Sequence, residues 1–494
     1  MNLVLAFAQS AGNDGSKTAL FWGDVRFSYG QFWAQSLLVA ERLQFALGVR
    51  RGDRVGVWLK NCPEFVPVLF GIWQAGAVAV PINNFLKPAE VQFILADAGI
   101  QTLVLDESMK EGFARLAAER PGLKALFAES LGGLAASKAE PMASLQEGDL
   151  AVIVYTSGTT GHPKGAMLSH GNLLANVESC RIMLQAVGED RFVVLLPMFH
   201  SFMFTVGVLL PMLVGGSIVL IKTLHPPKNI VLEIIQHRAT LLPAVPQFFR
   251  ALAHSPAPVE LPLRLCISGG APLPAETLRE FTARFPMPLL EGYGLSEASP
   301  VVSFTPICGP WKAGSIGVAI PGVEMSIQND AGEILPAGQT GELCVRGANV
   351  MLGYWNQPAA TAETMRRGWL LTGDIGYADQ DGYFYITDRK KDMLLVNGLN
   401  VYPREIEEVL YQFPGVREAA VIGIPDSRKG EQPLAFVAGH DGVPLEEKDL
   451  LEYLRERLAE YKVPRKVVFL PALPHSPTGK ILKTELRKMA KNPA

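Results

Sequence analysis

Hydroxyl groups, glycines and one lysine are concentrated between Thr156 and Gly165, where the chain reads TSGTTGHPKG after an apolar run. Glycines let backbone N–H groups approach a phosphate, hydroxyls add hydrogen-bond donors, and lysine supplies positive charge. No G-x-x-x-x-G-K-[ST] register fits, so this is not a Walker A loop. The segment therefore predicts a phosphate-binding loop, with a solvated surface loop as the alternative. The candidate phosphate contacts are Thr156, Ser157, Gly158, Thr159, Thr160 and Lys164.

A second candidate site is the heptapeptide EGYGLSE at residues 291–297. Its glycines suggest a dinucleotide loop, but Glu297 stands where such a loop needs its third glycine. A hydroxyl beside a carboxylate after a tight turn instead fits a site for Mg²⁺ and phosphate. An ordinary turn is the alternative. The residues concerned are Gly292, Tyr293, Gly294, Ser296 and Glu297.

Three further patches each look like a solvated turn when taken alone. They are LTGD at residues 371–374, DRKKD at 388–392 followed by Asn397 and Gly398, and PTGK at 477–480.

The elements that carry these patches follow an α/β pattern. Continuous apolar runs predict strands at residues 54–59, 77–81, 102–105, 151–155, 192–196 and 217–221, and apolar spacing predicts a helix over 63–75. Apolar strands separated by helices indicate parallel sheets that are covered on both faces. From about residue 311, closely spaced turn pairs instead predict a small β-rich subdomain.

Charge density separates the C-terminal part of the chain from the rest. Residues 389–494 carry 18 basic and 15 acidic side chains in 106 positions, against 60 charged side chains in the other 388. This division predicts a large N-terminal domain over residues 1–388, with the β-rich subdomain at about 311–388. A small α+β domain over 392–494 follows, with helices at 403–413 and about 446–461.

Composition excludes several classes of protein. The net charge of 45 − 48 = −3 gives no electrostatic reason to expect nucleic-acid binding. Five scattered cysteines predict free thiols in a reducing compartment, which we take as the cytoplasm. Residues 202–221 are uncharged but are interrupted by Pro211 and by Gly215 and Gly216, which favours a buried helix, a turn and a strand over a membrane span. Peripheral membrane contact and the oligomeric state stay open.

Taken together, the patches resemble the adenylate-forming superfamily of acyl-CoA synthetases, amino-acid adenylation domains and luciferases. YTSGTTGHPKG, GYGLSE, TGD, DRKKD…NG…YPREIE and PTGK occur in the order and spacing of that family, and the resemblance extends from about Phe27 to Lys483. It implies that ATP and a carboxylic acid give an acyl-adenylate and pyrophosphate, after which a thiol displaces AMP. The implied cofactors are ATP, Mg²⁺ and coenzyme A.

The resemblance also implies roles for single residues. The loop from Thr156 to Lys164 would hold the β- and γ-phosphates, Glu297 would bind Mg²⁺, and Ser296, where the family usually has Thr, would lie near the α-phosphate. Gly269, Gly270 and Ala271 would line the adenine, and Asp374 and Arg389 would bind the ribose. Gly292, Tyr293 and Gly294 are also implied to bind ATP or AMP. Lys480 would serve the adenylation half-reaction, Lys391 would lie in a hinge at 389–391, and Gly398 and Asn400 would face coenzyme A.

The acid is expected beside the aromatic gate at residues 198–201. The residues implied for the acyl pocket are Phe199, His200, Phe204, Val208, Gln247 and Phe248. Residues 191–232 contain no Asp or Glu, which disfavours an amino-acid substrate, and only His200 could supply a cation within 199–220, which disfavours a dicarboxylate. We therefore expect a medium- or long-chain fatty acid.

Three alternatives accompany this reading. An aryl acid is the alternative substrate, and a separate acyl carrier protein is the alternative acceptor. A non-catalytic nucleotide sensor is disfavoured because Glu297, Asp374, Arg389 and Lys480 are all present.

Overall fold

The computed structural model describes residues 1–131, 145–156, 163–255, 260–396, 399–426, 430–440, 442–476 and 479–491. The strands are β1 Thr18–Trp22, β2 Val25–Ser28, β3 Arg54–Trp58, β4 Val78–Pro81, β5 Thr102–Leu105, β6 Lys124–Phe127, β7 Leu150–Thr156, β8 Lys164–Ser169, β9 Arg191–Val194, β10 Ser217–Leu220, β11 Leu241–Ala244, β12 Leu265–Ser268, β13 Leu289–Gly294, β14 Val301–Phe304, β15 Val318–Ala319, β16 Val323–Gln328, β17 Gly341–Gly347, β18 Gly353–Tyr354, β19 Met365–Arg366, β20 Trp369–Ala378, β21 Phe384–Arg389, β22 Leu394–Val396, β23 Leu399–Val401, β24 Val416–Asp426, β25 Gly430–Gly439 and β26 Val467–Phe469.

The helices lie mostly between the strands of the first 300 residues. They are α1 Leu3–Asn13, α2 Tyr29–Glu41, α3 Phe65–Gln74, α4 Pro88–Asp97, α5 Lys110–Glu119, α6 His170–Met183, α7 Leu210–Val214, α8 Lys228–Gln236, α9 Pro246–Ala253, α10 Ala275–Arg284, α11 Pro358–Thr364, α12 Pro403–Tyr411, α13 Glu447–Arg455 and α14 Lys483–Lys491. Two π-helical segments, Arg42–Ala46 and Met203–Leu209, extend α2 and precede α7.

Two large sheets form the main body. One has nine strands in the order β15-β14-β13-β12-β11-β9-β10-β1-β2, and the other has seven in the order β18-β8-β7-β4-β3-β5-β6. Their central strands are parallel, whereas β2, β8, β14, β15 and β18, which lie at or next to an edge, pair antiparallel. The predicted covered parallel sheets, and with them the α/β fold class, are confirmed.

The central strands are apolar on both faces because helices cover each sheet from both sides. Helices α1, α2, α3 and α6 lie between the two sheets in the largest apolar core, which contains Phe70, Trp73 and Phe204. The outer face of the nine-stranded sheet packs against α8–α10, and the outer face of the seven-stranded sheet against α4 and α5. Burial on both faces is the reason that these strands show no alternation of polar and apolar residues.

The uncharged run at 202–221 folds as its interruptions indicate. The π-helical segment Met203–Leu209 continues into α7, Gly215 ends that helix with φ of 76°, and β10 follows. Among the described residues, no helix is long and apolar enough to cross a membrane.

Two smaller antiparallel-type sheets complete the chain. One joins β16, β17, β19, β20 and β21, and the other joins β22–β26 and is packed by α12–α14. We call the part from Leu394 onward the small domain. The helix predicted at about 446–461 was too long, because α13 ends at Arg455 and a separate 3₁₀ turn spans Glu460–Lys462. Leu454 and Leu458 both face the same core, so apolar spacing could not reveal the break between them.

Candidate active site

The candidate residues meet at the carboxyl ends of the parallel strands of the nine-stranded sheet. Strand β12 leads into Gly269 and Gly270, and the end of β13 carries Gly292–Gly294 and leads into the 3₁₀ turn Ser296–Ala298. The segment after β9 brings His200 and Ser201 to the same edge. In open α/β sheets this edge is where ligands bind.

These segments surround one cavity of about 80 Å³. Its polar part, which we call the mouth, is lined by His200, Ser201, Gly269, Gly270, Gly292, Tyr293, Gly294, Ser296 and Lys480. Its apolar part, which we call the inner end, is lined mainly by Cys180, Met183, Leu184, Phe202, Val206, Ile267, Val301, Phe304 and Ile320. A glycine is required at the mouth, since Gly270 has φ of 80°.

The predicted ribose-binding pair lies beside this mouth. Asp374 is buried, and register pairing of β20 with β21 sets Arg389 opposite it, with Arg389 Nε 2.9 Å from Asp374 Oδ1. The Tyr293 hydroxyl donates a hydrogen bond to the other oxygen, Asp374 Oδ2. Asp374 raises the pKa of the Arg389 guanidinium, whereas burial and then Asp374 raise the pKa of Tyr293. A buried carboxylate is thus held with both oxygens oriented by donors.

Ser296 lines the next part of the mouth, and Glu297 follows it in the same 3₁₀ turn. The Tyr354 hydroxyl donates to Glu297 Oε1 at 2.8 Å, and the hydroxyls of Ser201 and Ser296 lie 3.0 Å apart. Lys164 Nζ lies 5.1 Å from the centroid of the Tyr354 ring, so the predicted phosphate lysine approaches Glu297 from the seven-stranded sheet.

The ends of the phosphate loop are fixed by the hairpin that β7 forms with β8. Thr156 pairs with Lys164 at the end of this ladder. The loop residues Ser157, Gly158, Thr159 and Thr160 lie outside the described residues.

Lys480 reaches the cavity from the small domain. It lines the mouth, and the preceding residue is held by a hydrogen bond from Gln247 Nε2 to the Gly479 carbonyl at 2.8 Å. Desolvation lowers the pKa of the Lys480 ammonium, the nearby Arg389 charge adds to this, and Asp374 and Glu297 oppose it. The lysine that the resemblance implies for adenylation therefore lies at this cavity.

The residues predicted for the acyl pocket are not brought together. Only His200 lines the cavity, and burial followed by the charge of Lys480 lowers its pKa to about 4, so its imidazole is neutral. In the helical run after residue 201, all four apolar side chains belong to the core between the sheets, but only Phe202 and Val206 also line the cavity, and Phe204 and Val208 do not.

The other three residues of that prediction have different contacts. The ring of Phe199 lies 6.4 Å from that of the exposed Phe85, Phe248 packs edge-on against Phe249, and Gln247 binds Gly479. Sequence reasoning missed Cys180, Met183 and Leu184 at the C-terminal end of α6. Nothing in the sequence of α6 distinguishes apolar residues that face a ligand from apolar residues that face the core.

The predicted hinge and coenzyme A residues lie outside this cavity. Lys391 is exposed in a turn after β21, and Asn400 is exposed on the edge strand β23. Gly398 lies outside the described residues. Ala271 follows the glycines at the mouth but does not line the cavity.

Two family models match the chain. The AMP-binding enzyme model matches residues 7–355, and the AMP-binding enzyme C-terminal domain model matches residues 405–480. The chain belongs to this family. The resemblance to the adenylate-forming superfamily is thereby confirmed.

Relatives within the AMP-binding family differ in the acid that they are named for. The feruloyl-CoA synthase of Amycolatopsis sp is 39% identical over 477 residues, covering 95% of each chain. The long-chain-fatty-acid–CoA ligase of Bacillus subtilis is 34% identical over 524 residues, covering 97% of this chain and 92% of that protein.

A solved structure resembles the whole chain. ATP-bound MatB from Rhodopseudomonas palustris is 34% identical, covers 100% of this chain and 99% of its own, and superposes with a TM-score of 0.93. The apo form of the same MatB gives only 0.81. The present structure is therefore closer to the ATP-bound form than to the apo form.

Proposed function

We propose that this AMP-binding enzyme joins a medium-chain apolar carboxylic acid to coenzyme A, through an acyl-adenylate formed with ATP. The observation that carries the proposal is the cavity, which has a polar mouth at Lys480 and a short apolar inner end at Cys180 and Leu184. The acid's carboxylate would lie at the mouth and its tail at the inner end.

The chemistry of the inner end favours an unsubstituted tail. Its lining side chains carry no charge, and its one weak donor, the Cys180 thiol, lies 3.9 Å from Asn176 Oδ1. A phenolic hydroxyl placed there would lose its hydrogen bonds to water without finding replacements. An unsatisfied buried hydroxyl costs about 1–3 kcal/mol.

The size of the cavity favours a medium chain length. The volume of about 80 Å³ covers the polar and the apolar part of the cavity together, so the room for a tail is limited. A medium-chain acid needs less additional room than a long-chain acid.

Adenylation needs no protein nucleophile, because the acid's carboxylate attacks the α-phosphate directly. Negative charge then grows on the phosphate oxygens and on the departing pyrophosphate, close to the Lys480 ammonium and the Lys164 ammonium. Such pre-positioned charges stabilise the transition state more than the ground state. Asp374 would accept the ribose hydroxyls, and Ser296 would lie beside the α-phosphate.

The residues at Glu297 fit a magnesium ion. Tyr354 fixes one carboxylate oxygen, and no hydrogen bond to the second oxygen occurs within the described part of the chain. A hard divalent cation prefers such an oxygen together with phosphate oxygens. Mg²⁺ held there would neutralise charge on the triphosphate.

The second half-reaction is proposed to need a different orientation of the small domain. The hinge would be residues 389–391, and rotation would withdraw Lys480 and turn Gly398 and Asn400 toward coenzyme A. One hinge would then serve both half-reactions. Free thiols at all five cysteines agree with the reducing, cytoplasmic setting that we expect for such an enzyme.

Lys391→Pro tests this hinge. Proline fixes φ near −65° and restricts the preceding residue, so it should trap one orientation. We expect pyrophosphate release in a single turnover to persist and transfer from added acyl-adenylate to coenzyme A to fall at least tenfold. Wild-type rates for both steps, in a variant that melts normally, would place the pivot elsewhere.

An aryl acid is the second candidate, favoured by the identity to feruloyl-CoA synthase. The acid is identified by pyrophosphate release with a panel of C6–C16 fatty acids, cinnamate and ferulate, with coenzyme A or an acyl carrier protein as acceptor. We expect kcat/KM to be highest for C8–C10 acids with coenzyme A and about tenfold lower for ferulate. A preference for ferulate, or for the carrier protein, would overturn the proposal.

A further inference from the structure

Helix α9 carries a row of polar side chains that all contact the small domain. Gln247 and Arg250 of α9 and His254, which caps its C-terminal end, have the spacing i, i+3, i+7, which places them on one side of the helix axis. The opposite side is anchored in the core by Phe249 and Leu252. We call the three polar residues the α9 stripe.

Arg250 makes the most extensive of these contacts. Its Nη1 donates to the Arg417 carbonyl, and its Nη2 donates to the Val416 carbonyl at 2.8 Å and to His440 Nε2 at 3.1 Å. Its guanidinium also lies 5.9 Å from the centroid of the Tyr411 ring. A planar guanidinium that donates to two successive carbonyls fixes the orientation of the small domain as well as its distance from α9.

The carbonyls that accept hydrogen bonds from Arg250 lie at an irregular point of the sheet in the small domain. The ladder between β24 and β25 shifts register between Val416 and Glu418, so Arg417 lies at a β-bulge. A bulge leaves backbone groups outside the regular pairing and redirects them. Here the redirected carbonyl accepts a hydrogen bond from Arg250 in the other domain.

The ends of the stripe extend the contact in both directions. Gln247 holds the Gly479 carbonyl at 2.8 Å, next to the lysine that lines the cavity. Gly479 has φ of 79°, and a Cβ there would lie 3.2 Å from Val245. The residue before Lys480 is therefore in close contact with the residue that precedes α9. At the other end, the His254 ring lies 5.5 Å from the His440 ring.

We propose that the α9 stripe is the surface that positions Lys480 for adenylation, with Arg250 as its main anchor. The stripe touches neither end of the cavity, so Arg250 is a positioning residue that acts through the orientation of the small domain. The inference rests on the proposed adenylation reaction but not on which acid is used.

Arg250→Ala should lower pyrophosphate release in a single turnover at least tenfold, while transfer from added acyl-adenylate to coenzyme A stays within twofold. The KM for ATP should change little, because Arg250 contacts none of the residues at the cavity mouth. Arg250→Lys keeps the charge but loses the planar guanidinium, so it should recover only part of the rate. The matched control is Arg279→Ala, which removes an exposed arginine of the neighbouring helix α10 that pairs with Glu276 of its own helix.

A double variant separates positioning from loss of structure. If Arg250 acts through Lys480, Arg250→Ala should slow adenylation less than twofold in a Lys480→Ala background. The inference would be overturned if the losses from the two substitutions multiplied in the double variant. It would also be overturned if Arg250→Ala slowed both half-reactions equally or slowed neither. Failure of the proposed substrate would look different, because the wild type itself would then release no pyrophosphate with C8–C10 acids, and the comparison would use whichever acid of the panel is active.

Discussion

The two ends of the cavity are built in different ways. At the polar end, Lys480 lines the cavity, and Asp374, Arg389 and Glu297 lie near it, with salt-bridge and hydrogen-bond partners that fix these three groups. The apolar end is assembled from residues of α6 and its C-cap, the segment after β9, strands β12 and β14 and the residue after β15, among them Cys180 and Ile320. Charge stabilisation needs particular residue types in fixed positions, whereas an apolar pocket needs only volume.

Lys480→Ala should produce the largest loss at the polar end. Removing one charged transition-state contact costs about 3 kcal/mol or more, which is ~10²-fold or greater in the rate of adenylation. Thioester formation from added acyl-adenylate should be largely spared. Lys488→Ala, which removes an exposed lysine paired with Glu485, is the control. Equal losses in both half-reactions would refute the division of labour.

Glu297→Gln should have the next largest effect, because the amide keeps the shape but lacks the charge that a hard cation prefers. We expect adenylation to fall by about tenfold at limiting Mg²⁺ and to recover partly as Mg²⁺ is raised. Titration of pyrophosphate release against Mg²⁺ measures this. Wild-type activity at limiting Mg²⁺ would refute the metal role.

At the apolar end, substitutions should change preference more than rate. Leu184→Ala enlarges the inner end, so kcat/KM should shift by a few-fold from C8–C10 toward C12–C14 acids, since each buried CH₂ contributes about 0.8 kcal/mol. Leu173→Ala is the matched control, because Leu173 is buried on the same helix but does not line the cavity. Both changes cost stability, about 2–5 kcal/mol. If the chain-length preference shifted in both variants, or in neither, Leu184 would not be a residue that contacts the acyl tail.

The smallest expected effect is on the pH dependence of the free energy of unfolding, through the buried Glu291, which directly precedes Gly292 at the cavity mouth. Burial raises the pKa of its carboxyl to about 7, although the Arg404 charge and the Leu273 N–H oppose this. The folded state therefore holds a proton that the unfolded state loses, and this contribution to stability declines as pH rises from about 4.5 through about 7. Between pH 6 and 8 the loss is about 1 kcal/mol.

Glu291→Gln should remove that decline, because an amide does not titrate but still accepts from Leu273. Denaturant unfolding at pH 6 and pH 8 measures the difference between variant and wild type. Glu119→Gln, on the exposed end of α5, is the control. An unchanged pH dependence in Glu291→Gln would show that another group holds the proton.

The same contrast explains what the sequence could predict. The fold class and the strands near 54–59, 102–105 and 217–221 follow from continuous apolar runs, because both faces of these strands are covered. The candidate nucleotide residues were recognisable because their proposed chemistry requires glycines, hydroxyls and charges at fixed spacing. Phe204 and Val208 look like pocket residues in the sequence, but unlike Phe202 and Val206 they do not line the cavity. Only tertiary packing decides which side of an entirely apolar helix faces a ligand.

The most direct test of the account is a crystal structure with a stable mimic of octanoyl-adenylate, in which a sulfamoyl group replaces the phosphate. The account predicts that the ribose hydroxyls lie within hydrogen-bond distance of Asp374 and that Lys480 lies beside the sulfamoyl group. It also predicts that the octanoyl tail packs against Cys180 and Leu184. A tail that instead leaves the mouth along α9, past Gln247 and Phe248, would contradict it.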